Sequence, residues 1–247
     1  MSNWKGAIQN EWDILWKKKT TKFFVGFTVL VPISLGWLLD KVNLSFGLLP
    51  ISSSGIPLFT LAILISAYLP LLIFMLVSDG LTFQPQVLKA FFLRPIHRYK
   101  LYCARIIAIA GLIAIHLGLA LFTSLLSGWM FQEWLGWEAV REAFLAYGLS
   151  FLPLLLWITI ASFVAQWFRS QTGAMISLIL IFTCSYIFLY INPAASAFSP
   201  AHYNDWHTLV SAGASATESI LYGTSYLFST GFLFFLIGLV MFERRNI

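Results

Sequence analysis

His116 is the one ionisable residue set deep inside a long apolar stretch, "IIAIAGLIAIHLGLALF". An imidazole there could relay a proton or meet a substrate, because ionisable groups at membrane depth are costly and are kept for function. The plainer reading is preferred: a neutral ring bonded to a neighbouring helix, with Ser66, Thr123 and Ser127 supplying hydroxyls. Glu218, at the start of the last apolar stretch, has the same two readings, an exit path or a headgroup contact, the second preferred. Cys103 and Cys184 show no CxxC pairing and read as inert. No H-E-x-x-H, G-x-S-x-G or close carboxylate pair falls in an apolar stretch, and "GTSYL" at 223–227 lacks the second glycine of a nucleophile elbow. No G-x-x-x-x-G-K-[ST] occurs, so the chain holds no phosphate loop, and no catalytic, cofactor or metal residue is assigned.

The elements that carry these residues are membrane spans. With 59% hydrophobic and 10% charged residues and a mean hydropathy of +0.82, the solvent for most of the chain is lipid. Six stretches near 22–39, 56–78, 103–128, 143–168, 172–191 and 218–242 are long enough to cross. Pro32 is expected to kink or partly unwind the first. Thirteen of the fifteen Lys and Arg fall on the side of the termini, and only Lys41 and Arg141 on the other. The positive-inside rule then puts both termini, the 79–102 loop and the 168–172 turn in the cytoplasm. The basic balance is topological, and no nucleic-acid partner is expected.

Two segments on that side have apolar faces. Trp4, Ile8, Trp12 and Leu15 recur at helical spacing, which predicts an amphipathic helix over 1–21 lying at the interface beside Lys17, Lys18 and Lys19. The six-span domain follows over 22–247. No short apolar core of a signal peptide occurs, so the amino terminus is expected to be retained. In the loop, Val87, Leu88, Phe91 and Phe92 share one face of a short helix that Arg94-Pro95 stops. Such a face ringed by cations suits docking to a cytosolic partner. On the opposite side, 192–217 is too weakly apolar to span and predicts a short re-entrant or interfacial helix.

The loop "SDGLTFQPQVLKAFFLRPIHRYK" resembles the region between the second and third spans of ABC-2 type permeases, the membrane subunits of type V ABC exporters. Asp79 matches the acid that ends the second span in that family. Leu88, Lys89, Phe91, Phe92, Pro95 and Arg98, with Arg94 between, match its coupling helix. Gln84, Gln86 and Val87 depart from the Glu and Gly-Thr common there. "FERRNI" at the carboxyl end and "NEWDILWKKKTTKFF" near the start are similar to the family's termini.

The resemblance implies an all-α protein in the cell membrane, the cytoplasmic membrane of a bacterium, with a second permease subunit, identical or paralogous. It implies separate ABC ATPase subunits that bind ATP-Mg, and export of an amphiphilic or hydrophobic substrate such as a peptide, an antibiotic or a lipid. The chain itself is then no enzyme. A non-transporting membrane sensor or scaffold and a gradient-driven secondary transporter are the alternatives.

Gly111 with Gly118, and Gly231 with Gly238, are expected to let helices pack closely. Phe23, Phe24, Phe27, Trp37, Trp157 and Tyr186 are expected to face lipid or interface rather than a path.

Overall fold

The computed structural model describes residues 4–46, 55–82, 97–131 and 136–244, without the side chains of 43–46, 193–195, 207 and 209–219. Every regular element among them is helical. In chain order they are α1 (Trp4–Lys17), α2 (Lys19–Phe46), α3 (Gly55–Leu81), α4 (Arg98–Phe131), α5 (Gly136–Ala165), α6 (Gln171–Ile191) and α7 (Ala216–Glu243). Two 3-10 segments, Pro193–Phe198 and Pro200–Ser215, join α6 to α7. Helices α2 to α7 are long and apolar enough to cross a membrane, which agrees with the six expected spans.

Position in the bundle follows from what each helix can leave in lipid. More than half of the most apolar stretch of each of α3, α4 and α5 is buried, whereas α2, α6 and α7 present Phe23, Leu30, Ile176, Leu180, Phe228 and Phe232 outward. Exposed apolar side chains cost nothing when the surrounding medium is hydrocarbon. Phe74 of α3, Trp157 of α5 and Phe182 of α6 form the central aromatic contact, with ring centroids 4.9 to 5.9 Å apart and edge-to-face geometry. Trp157 is fully buried, so the expectation that it faces lipid is corrected.

A buried indole N–H needs an acceptor, and here it comes from the α6–α7 connection. Trp157 Nε1 donates to Asn204 Oδ1 at 3.1 Å, and Asn204 Nδ2 donates to the Tyr186 hydroxyl at 2.9 Å. Trp157 lies eight residues before the end of α5 at Ala165, about 12 Å at the rise of a helix. The connection leaves from the opposite end of the bundle, so it reaches to the middle of α5 or beyond. Ala201, Tyr203, Asn204 and Trp206 are buried there. The segment, expected as a re-entrant or interfacial helix, folds back into the bundle in 3-10 form.

The π-helical turn Leu64–Tyr68 interrupts α3, and α2 stays helical across Pro32. Of the expected kink or partial unwinding, the second does not occur. Ser127 of α4 donates to the Pro32 carbonyl at 2.9 Å and ties the two helices at that level. Helix α5 ends earlier than expected, and Ser170 caps α6 by accepting from the Gly173 N–H at 3.1 Å.

Candidate functional site at the face of the termini

The two ends of the chain meet at one face of the bundle, called basal below. Helix α1 packs on the first turns of α4, and its buried residues are Ala7, Glu11 and Leu15, spaced by four. That stripe, which packs on α4, is offset from the apolar one named above. Leu15 is buried, Ile8 and Trp12 are half-buried, and Trp4 is exposed. Trp12 lies over Gly111 of α4, where a Cβ would come within 3.0 Å of the indole. Trp4 sits edge-on to Tyr99 with centroids 6.1 Å apart, and Lys100 Nζ lies 6.0 Å from the Trp4 ring centre.

A carboxylate on the buried stripe of a helix must be paired. Glu11 is fully buried, and Arg105 of α4, 4% exposed, meets it with Nη1 donating to Oε2 at 2.7 Å. A second pair lies beside the first: Lys18, in the joint between α1 and α2, is in contact with Asp79 near the end of α3. Gly80 leaves the space that the Arg105 guanidinium fills, since a Cβ there would overlap it. Burial, together with the Arg105 charge nearby, lowers the Lys18 ammonium to about 8, against a smaller opposing pull from Glu11.

Four charges thus fasten α1, the α1–α2 joint, the end of α3 and the start of α4. Helix α3 ends and α4 begins at this same place. Arg98, at the first residue of α4, donates from Nη1 to the Glu243 carbonyl at 3.1 Å and so covers an open end of α7. One turn along, Tyr102 packs on Phe242 and against Gly238, and Gln166 Nε2 donates to the Gly238 carbonyl at 3.0 Å. Helices α3, α4 and α7 have named contacts in this layer, and Lys18 and Gln166 lie next to the ends of α2 and α5.

Of the expected coupling residues, the structure brings Asp79 into the knot and sets Arg98 on α7. Leu88, Lys89, Phe91, Phe92, Arg94 and Pro95 lie outside the described residues. Glu218 is in the first turn of α7 by its backbone, with its side chain outside the described ones. Sequence reasoning missed Glu11, Lys18 and Arg105 as members of the site. The signal was present in Glu11, an acid falling in register with Leu15 on the apolar side of α1.

His116 is fully buried three turns above Arg105 on the same face of α4. Its ring centroid lies 6.5 Å from that of Tyr68, the last residue of the π-helical turn. Tyr68 donates to the Phe24 carbonyl and touches the Thr28 hydroxyl, both at 2.7 Å. Neither ring nitrogen of His116 has a hydrogen-bond partner among the described residues. The expected hydroxyls go elsewhere: Ser66 to Ala62, Thr123 to Leu119 and Ser127 to Pro32, each to a backbone carbonyl.

Of the four glycines expected at close contacts, Gly111 and Gly238 face an aromatic side chain, Gly231 makes ordinary contacts, and Gly118 is open. No group of three metal-ligating side chains occurs among the described residues. Comparison with protein-family models and with curated proteins gives no match to this chain.

Proposed function

We propose that this chain is the membrane permease subunit of an ABC exporter of the ABC-2 type, worked by separate ATPase subunits. One observation carries the reading. The family-like "LKAFFLRP" lies in the sequence between α3 and α4, whose Asp79 and Arg105 belong to a cluster of four charges that also grips α1. A displacement of that segment by a soluble motor passes to α1, α3 and α4 together. Phe91 and Phe92 provide the apolar grip, and Lys89, Arg94 and Arg98 the cations around it. ATP-Mg binds the partner, and a second permease subunit completes the pathway for an amphiphilic or hydrophobic substrate. The six apolar helices and the basal excess of Lys and Arg support a multi-pass membrane protein with both termini inside, and the family resemblance points to a bacterial cytoplasmic membrane.

The test is co-expression with candidate ATPase subunits, purification through a tag on this chain, and measurement of bound protein and ATP turnover in nanodiscs. A stoichiometric ATPase that is lost on Phe91→Ala with Phe92→Ala, while the chain still inserts, is the expected result. A chain that purifies alone counts against the reading and favours a sensor or scaffold. The buried imidazole of His116, without a hydrogen-bond partner among the described residues, favours gradient-driven transport as a second reading. Proton-driven flux by this chain alone in ATP-free proteoliposomes, lost on His116→Leu, would establish it.

A further inference from the structure

The face opposite the termini carries a cavity of 460 Å³ between the re-entrant segment and α7, within the range of small-molecule sites. Its walls are aromatic. Tyr203 is stacked on Tyr226, with centroids 5.1 Å apart, and its hydroxyl donates to the Ala197 carbonyl at 2.9 Å. Trp206 lies edge-on to Tyr203 at 5.3 Å and fills the space over Gly223, where a Cβ would overlap the indole. Tyr203 and Trp206 are buried and held from several sides, whereas Tyr222 is 77% exposed at the opening. The ionisable side chains on the lining are Asp205 and His202, both exposed, with the Thr208 hydroxyl beside them.

Rigid aromatic rings with one carboxylate attract a cation that carries its own apolar groups: the ring quadrupoles and Asp205 take the charge, and the rings take the alkyl surface. An anion is disfavoured twice, by Asp205 and by the surrounding charge. Asp40, Glu133, Glu138, Glu142, Asp205 and Glu218 fall on this side of the spans against Lys41 and Arg141 alone. We infer that the cavity lined by Tyr203, Trp206, Tyr222 and Asp205 is a binding site for an organic ammonium group. The same chemistry comes from a soluble amine or from the headgroup of an ammonium-bearing lipid. The site does not rest on the permease reading, because binding is a property of this chain alone.

The test uses the full chain in nanodiscs of phosphatidylglycerol, with labelled choline as the probe. Competition is by unlabelled choline and by its uncharged isostere, in which carbon replaces the quaternary nitrogen. Saturable binding is expected, with the isostere weaker by about tenfold. Asp205→Asn and Tyr222→Leu are each expected to weaken choline by about three- to tenfold, and because both side chains are exposed the variants should keep the wild-type melting temperature. A loss of choline affinity in nanodiscs containing phosphatidylethanolamine assigns the site to a lipid headgroup, and an unchanged affinity assigns it to a soluble ammonium. Absence of saturable binding, equal competition by the isostere, or wild-type affinity in both variants overturns the inference.

Discussion

Arg105 donates to Glu11 at 2.7 Å in a place where Glu11 has no contact with solvent, so a helix at the edge of the bundle is tied to its centre by an ion pair. Removing one partner leaves the other charged and buried, which costs about 3 to 5 kcal/mol. Glu11→Ala and Arg105→Ala should each lower the melting temperature strongly and release α1 to protease. Replacing both, as Glu11→Leu with Arg105→Met, should recover most of the loss, because an apolar pair of similar volume needs no desolvation. A double-mutant cycle in nanodiscs measures this. Additive losses would show that the two side chains do not act as a pair.

Gly238 and Tyr102 give a second coupled pair. A Cβ on Gly238 would overlap the Tyr102 hydroxyl, and that hydroxyl has no hydrogen-bond partner among the described residues. Gly238→Ala therefore overpacks the contact between α4 and α7, with a cost of about 1 to 3 kcal/mol. Tyr102→Phe removes the obstructing atom without breaking a bond seen among those residues, so it should be near neutral alone and should rescue Gly238→Ala. Thermal unfolding of the three variants decides it. Failure of the rescue would place the constraint on the backbone or on Gln166, whose Nε2 would be 3.3 Å from the new Cβ.

Hydropathy and length were enough to find six spans because each is a local property of some twenty consecutive residues. That 192–217 does not form a further long apolar helix was legible for the same reason, since the segment is too polar to cross yet too apolar for water. What stayed hidden depends on contacts distant along the chain. Glu11 finds Arg105 ninety-four positions away, and Trp157 finds Asn204 forty-seven away. Tryptophan is common at the surface of membrane proteins, so no property of Trp157 itself announced that it would be interior. Which residues of α1 pack on α4 was not legible, because periodicity reports apolar residues only. The helix instead buries a small residue, a charge and a leucine in register.

Lys18 supplies the prediction on pH. Its ammonium is lowered from the usual 10.5 to about 8, first by burial and then by Arg105. Between these two values the unfolded chain holds a proton on Lys18 that the folded chain has released. Stability therefore rises with pH across that window, and below pH 8 the full penalty of the partly buried ammonium is present. Lys18→Met has no such proton to lose. The melting temperature of the wild-type chain should lie further below that of Lys18→Met at pH 7 than at pH 10, with the gap closing through about pH 8 to 10.5. The contact with Asp79 works the other way, since a carboxylate favours the ammonium. Asp79→Asn should accordingly move the closing of the gap to lower pH. A gap independent of pH would mean that Asp79 holds Lys18 charged throughout, and the knot would then be four fixed charges rather than three and a titrating one.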